Sequence, residues 1–151
     1  MFYKILNGKI EETSSWQQPG FLSESDPSVS AILLADIKSE MIRKLGDIAE
    51  HKIETGSIVF NTKTYSTSNK MALRLNGLFN LSGVGKGPSQ KKLMDKTGVR
   101  NILTPAELED LGSGIAIYQD DVSSSLEAKI TAVKEMTKTQ LDVFDPEAGW
   151  P

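Results

Sequence analysis

Residues 26–55 read DPSVSAILLADIKSEMIRKLGDIAEHKIET, and this stretch decides the fold class. Its apolar side chains recur every three or four positions, at Val29, Leu33, Ile37, Met41, Leu45 and Ile48. Residues with this spacing share one face of a helix, so the pattern predicts an amphipathic helix over residues 26–55. Asp26 is a favourable N-cap and Pro27 suits the first helical position. Gly56 can supply the left-handed residue that follows a helix.

A second long helix is predicted over residues 104–136. Thr104 and Glu107 have the spacing of a capping box, and Pro105 lies in the first turn. The same apolar period follows at Leu108, Leu111, Ile115, Tyr118, Val122, Leu126, Ile130 and Val133. A shorter helix is predicted between the two long ones, over residues 67–83, with Met71, Leu75, Leu78 and Phe79 on its apolar face.

Two β-hairpins are predicted beside these helices. Asn7-Gly8 separates two β-prone runs and favours a type I′ turn, so residues 2–12 are predicted to form the first hairpin. The β-rich runs at residues 57–60 and 64–66 flank Asn61-Thr62-Lys63 and predict the second hairpin. The predicted fold class is therefore α+β and mainly helical, with two long amphipathic helices, a shorter one and two small β-hairpins.

The N-terminal segment is predicted to dock on a partner. Residues 13–27 are rich in Ser, Gln, Pro and Gly, which is typical of an irregular linker. We divide the chain into residues 1–25, a docking segment of hairpin and linker, and residues 26–151, a helical domain with an inserted hairpin at residues 57–66. A small hairpin is marginal alone, and its strand edges can extend a sheet of another chain. The candidate partner-binding residues are Phe2, Ile5, Leu6, Ile10, Trp16, Phe21 and Trp150. The alternative is that the hairpin and the Trp150 tail pack on the chain's own helices.

Composition and motif spacing argue against a catalytic, cofactor-binding or metal-binding site. The chain has 151 residues, no cysteine and one histidine, which excludes disulfide scaffolds, zinc ribbons and thiol nucleophiles and disfavours a Ser-His-Asp triad. The glycine-rich run at residues 83–87 fails the Walker A count, because Asn80 stands at its first glycine position and Gly87 at its Ser/Thr position. Asp120 and Asp121 are adjacent and point about 100° apart on a helix. We therefore predict no enzyme activity and no catalytic, cofactor-binding or metal-binding residue.

Charge patterning leaves two interpretations of one segment. The net charge of −3 gives no general reason to expect nucleic-acid binding. Five cations nevertheless cluster within residues 86–100, at Lys86, Lys91, Lys92, Lys96 and Arg100. We interpret them as a solvated surface, or as a charge match to the acidic residues of the following helix; the alternative is a small regulatory module that binds nucleic acid through these cations. The first six residues are too briefly apolar for a signal peptide, and no run approaches the roughly 18 apolar residues of a membrane span.

Three stretches resemble the tail-fibre assembly and tail-associated proteins of tailed bacteriophages, a phage domain family of unknown function. Residues 2–12 (FYKILNGKIEE) look like the hairpin that begins many of these proteins. Residues 54–68 (ETGSIVFNTKTYSTS) are similar to their helix–glycine–strand–turn–strand unit, although Thr62 stands where the family usually has glycine. Residues 103–108 (LTPAEL), the long helix after them and Gly149-Trp150-Pro151 are similar in order and character.

The resemblance implies a noncatalytic phage protein that binds a tail-fibre or baseplate protein. It would act as an assembly chaperone or as a small structural component of the virion, and homo-oligomerisation stays open. The implied location is the host cytoplasm during assembly, with retention in the virion tail for a structural component. The resemblance supplies no catalytic residue and no cofactor, and we expect no membrane partner.

Overall fold

The helices and hairpins predicted from the sequence are present. The structure, a computed structural model, describes residues 1–83 and 91–151. The helices are α1 (Pro27–Thr55), α2 (Asn69–Gly83), α3 (Pro105–Glu135) and α4 (Lys138–Asp142). The strands are β1 (Phe2–Leu6), β2 (Lys9–Ser14), β3 (Leu22–Ser23), β4 (Ser57–Phe60), β5 (Lys63–Ser66), β6 (Lys91–Met94) and β7 (Arg100–Leu103). The mainly helical α+β class is thereby confirmed.

The two long helices begin where their capping residues predict. Asp26 Oδ1 accepts a hydrogen bond of 2.9 Å from the Ser28 backbone N–H at the start of α1. Thr104 Oγ1 accepts from the Glu107 N–H at 3.2 Å, and Glu107 Oε2 accepts from the Thr104 N–H at 2.8 Å. These bonds satisfy N–H groups that have no partner inside the first helical turn.

The chain forms two compact units, and both long helices contribute residues to each. Unit 1 comprises Met1–Leu45 and Lys129–Pro146, and unit 2 comprises Gly46–Ala128 and Glu147–Pro151. Unit 1 holds an antiparallel sheet of order β2-β1-β3, together with α4 and parts of α1 and α3. Its buried apolar side chains are Tyr3, Val29, Leu45, Val133 and Leu141.

The predicted linker is more regular than its composition indicates. Leu22 and Ser23 form β3, which pairs with Tyr3 and Phe2 of β1 and turns the predicted hairpin into a three-stranded sheet. Ser30 Oγ on α1 donates a 2.9 Å hydrogen bond to the carbonyl of Glu24, so the linker is attached to the first turns of the helix.

Unit 2 is built around one apolar cluster. Its fully buried members are Tyr65, Leu75, Leu93, Leu103, Leu108, Leu111 and Ile115. They come from the β4–β5 hairpin, α2, α3 and an additional antiparallel hairpin, β6–β7. The sequence interpretation missed this third hairpin, which occupies part of the segment read as a basic surface. The glycine-rich run tested against the Walker pattern lies largely outside the described residues.

The turn between β4 and β5 has an unfavourable residue at its second position. Asn61 and Thr62 have φ of 48° and 63°, the same left-handed region that Asn7 and Gly8 adopt in the first hairpin. A β-branched side chain is strained in this region, whereas glycine is not. Asn61 Nδ2 also donates to Glu107 Oε1 at 2.8 Å, which holds the turn on α3.

Thr62→Gly should therefore stabilise the protein. We expect the free energy of unfolding to rise by about 1 kcal/mol, because relief of left-handed strain exceeds the extra chain entropy of glycine. Urea titration followed by circular dichroism measures the change. Thr13→Gly is the matched control, since Thr13 is exposed in β2 with an ordinary strand conformation, and it should lose stability. A loss in both variants would contradict the strain assigned to Thr62.

Candidate protein-binding surface

The N-terminal sheet is buried at Tyr3 of its central strand, and its other residues are half-buried or exposed. Tyr3 is buried, and its pairing places it on the face shared with Thr13 and Leu22. On this face Tyr3 is buried, whereas Thr13 and Leu22 are exposed. Lys4 and Glu12 are paired across β1 and β2 by an exposed 3.0 Å ion pair.

Six of the seven candidate partner-binding residues lie in unit 1. Phe2, Ile5, Ile10 and Phe21 are half-buried, whereas Leu6 and Trp16 are exposed. Trp150 lies in unit 2 and is half-buried. The structure therefore groups the hairpin and linker residues in one unit and places the C-terminal tryptophan in the other.

Trp16 is presented to solvent from a fixed turn. Ser14 Oγ donates to the Trp16 carbonyl at 2.8 Å and accepts from the Trp16 N–H and from Gln18 Nε2, each at 3.3 Å. One hydroxyl thus uses its single donor and both acceptor sites to hold the backbone on either side of the indole. The Trp16 residue is nevertheless 68% exposed. The sequence indicated the apolar residue but not the turn that holds it.

The edge of β2 lies next to Trp16. Within the described residues, β2 pairs with β1 alone, so its outer backbone groups are available to another strand. Lys4 pairs with Glu12 and Ile5 pairs with Ile10, which leaves Glu11 as an extra residue in the ladder. Bulges and charged side chains of this kind oppose indiscriminate edge-to-edge pairing. A strand that adds here has to match the irregular register.

The cations of the basic segment differ in their burial and in their hydrogen bonds. Lys91 is buried on the inner side of β6, and Lys96 Nζ donates to the carbonyls of Thr55 and Gly56 at 2.8 and 3.2 Å. Lys92 and Arg100 are exposed. Lys86 lies outside the described residues. Two of the five cations are therefore part of the fold of unit 2, which the sequence pattern alone did not reveal.

A groove between α2 and α3 was not predicted. It has a volume of about 300 Å³ and lies beside Phe79 and Leu75 on α2 and Gly112, Ser113 and Ala116 on α3. The small side chains of α3 leave this space open, and the glycine at position 112 was the sequence signal for it. Among the described residues that line the groove, Glu109 is the one ionisable residue, so this part of the lining offers no paired acid and base.

His51, Asp120 and Asp121, which were weighed from the sequence as catalytic or metal-binding residues, are exposed and are not grouped into such a site. His51 is exposed on α1, and Asp120 and Asp121 are exposed on α3. Among residues 1–83 and 91–151, no three His, Asp or Glu side chains are grouped so that they could hold a metal ion. In the same part of the chain, no helix has the length and apolar character needed to cross a membrane.

Comparison with known proteins gives no assignment. No protein-family model, no curated protein sequence and no solved structure matches the chain.

Proposed function

We propose that this chain is a noncatalytic tail protein of a tailed bacteriophage, which binds a tail-fibre or baseplate protein as an assembly chaperone or a small virion component. The class of partner comes from the resemblance at residues 2–12, 54–68 and 103–108. The mode of action is supported by one observation in particular, the exposed indole of Trp16 on a hydrogen-bonded turn.

Trp16 has the properties of an interface anchor. A tryptophan removes a large apolar area from water when a partner covers it, and its N–H keeps a polar contact available. Residues of this type dominate binding energy when they enter a desolvated pocket. The hydrogen bonds from Ser14 hold the turn before binding, which reduces the entropy lost on association. The partner is therefore expected to offer an apolar pocket.

The edge of β2 provides a second kind of contact. Main-chain hydrogen bonds from an added strand contribute affinity with little dependence on side chains, while a pocket for Trp16 contributes selectivity. The bulge at Glu11 limits which strands can pair. This combination suits a protein that recognises one partner during assembly rather than any exposed strand.

Trp16→Ser tests the proposal. The chain is co-expressed with each protein encoded by the flanking genes, and complexes are measured by affinity capture and titration. We expect a tail-fibre or baseplate protein to bind, and Trp16→Ser to weaken that complex about 30-fold or more, equivalent to about 2 kcal/mol. Val143→Ser is the matched control, because Val143 is an 81% exposed apolar residue of unit 1 outside the sheet, and binding should be unchanged.

Two results would count against the proposal in different ways. Equal binding by the wild type and Trp16→Ser would place the contact on another surface. If no tail protein binds, and mass spectrometry also fails to detect the chain in purified virions, the phage-tail assignment is contradicted. Steeply salt-dependent binding to duplex DNA would instead support the nucleic-acid alternative.

A further inference from the structure

The outer face of the β6–β7 hairpin combines cations with apolar side chains. Its cross-strand pairs are Lys92 with Ile102 and Met94 with Arg100. All four residues are exposed, with Met94 at 39% and Ile102 at 55%. We call these four residues the basic face. Each pair contains one cation and one apolar side chain, and no carboxylate lies among the four.

The outer face of α3 has the opposite character. Ile117 is 62% exposed, and Asp110 and Asp121 are exposed as well. Asp110 lies seven residues before Ile117, and Asp121 lies four residues after it. These spacings place the three side chains along one side of the helix. The part of α3 in unit 2, from residue 105 to residue 128, contains six acidic residues and no lysine or arginine. We call Asp110, Ile117 and Asp121 the acidic face.

We propose that the basic face of one copy binds the acidic face of a second copy of this chain. In this contact Ile117 packs against Met94 and Ile102, while the aspartates pair with Lys92 and Arg100. Asp110 and Asp121 are separated by about 16 Å along the helix. The two cations start about 7–8 Å apart on a diagonal of the hairpin, and their long side chains extend the span toward both carboxylates.

A second copy is the occupant that the charges favour. Both complementary faces belong to the same unit of the same chain, so every copy carries the site and its match. Nucleic acid would meet three exposed cations on this hairpin, and one of them, Lys96, already bonds to the end of α1, while Lys91 is buried. The apolar residues on the two faces would also remain uncovered on nucleic acid.

The two faces lie on the outer sides of elements that share one apolar cluster. Leu93 and Leu103, from the inner side of the hairpin, and Leu108 and Leu111, from the inner side of α3, lie in the same apolar cluster. Both outer faces consequently point away from this cluster. A contact between unlike faces can be made once per pair of copies, which gives a ring or a filament, or twice about a two-fold axis, which gives a closed dimer. The inference concerns a different surface from Trp16 and does not depend on the phage assignment.

Charge reversal on each face provides the test. Analytical ultracentrifugation of the full chain at low salt should show a mass that rises with protein concentration and falls as sodium chloride is added. Lys92→Glu/Arg100→Glu and Asp110→Lys/Asp121→Lys should each weaken self-association at least tenfold. Mixing the two variants should restore it, because the reversed faces attract each other and the two unaltered faces still match. Circular dichroism verifies that each variant is folded.

The controls separate this contact from a general charge effect. Lys9→Glu/Lys70→Glu makes the same change in net charge as Lys92→Glu/Arg100→Glu at exposed residues that belong to neither face, and self-association should be retained. Ile117→Ser removes the apolar contact and should weaken association without altering charge. The proposal is overturned if the wild type stays monomeric at low salt, if the mixed variants do not reassociate, or if the control variant loses association equally. Binding of duplex DNA by a chain that stays monomeric would assign the basic face to nucleic acid instead.

Discussion

Replacing Gly56 with alanine is expected to destabilise unit 2 by about 3–5 kcal/mol, the range for severe packing and hydrogen-bond damage. A Cβ atom at this position would lie 2.6 Å from the Lys52 carbonyl oxygen and 2.7 Å from the Tyr118 hydroxyl oxygen, and it would also collide with Thr67 Oγ1. No side chain larger than hydrogen fits such distances. The surrounding backbone would have to move.

Backbone movement at Gly56 would break several connections together. The Gly56 N–H donates to the Lys52 carbonyl at 2.8 Å, which closes the end of α1. The Gly56 carbonyl accepts from the Thr67 N–H at 3.2 Å and from Lys96 Nζ at 3.2 Å. These bonds join α1 to the residue after β5 and to the β6–β7 turn. Their joint loss explains why the expected effect exceeds that of a single hydrogen bond.

Gly46→Ala is the matched control for this prediction. Gly46 lies inside α1, and a Cβ atom there would have nothing within 4 Å. Alanine should therefore stabilise the helix by about 0.5–1 kcal/mol. Urea unfolding of both variants, followed by circular dichroism, measures the two changes. Similar stability changes in the two variants would show that the environment of Gly56 is not restrictive.

The elements that the sequence predicted correctly depend on local signals. Asp26 and Thr104 begin the long helices because their side chains bond to backbone groups two or three residues away. Asn7-Gly8 forms a turn because both residues tolerate positive φ. Each signal acts within a few residues and can be read without knowing the rest of the fold. The same holds for the apolar period of α1 and α3.

The missed elements depend on contacts between distant parts of the chain. Lys96 is an exposed cation, as the sequence indicated, but its ammonium also donates to the carbonyls of Thr55 and Gly56, about 40 residues earlier. The β6–β7 hairpin was missed because its buried residues, Leu93 and Leu103, gain their apolar environment from α3 and β5. Its connection also lacks the Asn-Gly signature of a two-residue turn. Tertiary packing determines that this segment forms a hairpin, and the spacing of apolar residues in a single sequence does not show such packing.

The candidate binding surface was predicted only in part, because it too depends on contacts between distant parts of the chain. Trp16 stood out as a large apolar residue in a polar stretch, which is visible in the sequence. The division between covered and exposed residues was not visible, since Tyr3 and Trp16 differ in their tertiary surroundings rather than in their residue class. The basic face likewise became apparent only when the register paired Lys92 with Ile102.

The β6–β7 connection is organised by one carboxylate. Asp95 Oδ1 accepts from Thr97 Oγ1 at 2.6 Å, from the Thr97 N–H at 2.9 Å and from the Val99 N–H at 3.0 Å. Asp95 Oδ2 accepts from Asn101 Nδ2 at 2.9 Å. The hydrogen bonds from the Thr97 and Asn101 side chains, with those from the backbone, lower the pKa of Asp95 from 3.8 to about 2.

Asp95→Asn should lower the melting temperature by several degrees at pH 7, because an amide cannot accept all four of these hydrogen bonds. The folded pKa lies below the unfolded one, so the ionised Asp95 stabilises the protein fully above pH 4–5, and this stabilisation is lost as the pH falls toward about 2. The difference in melting temperature between the wild type and the variant should therefore shrink over that interval. Asp142→Asn, at an exposed carboxylate paired with Lys138, should change little at any pH. If the difference in melting temperature between the wild type and Asp95→Asn stayed constant from pH 7 to pH 2, the stability of the turn would not depend on the ionised carboxylate.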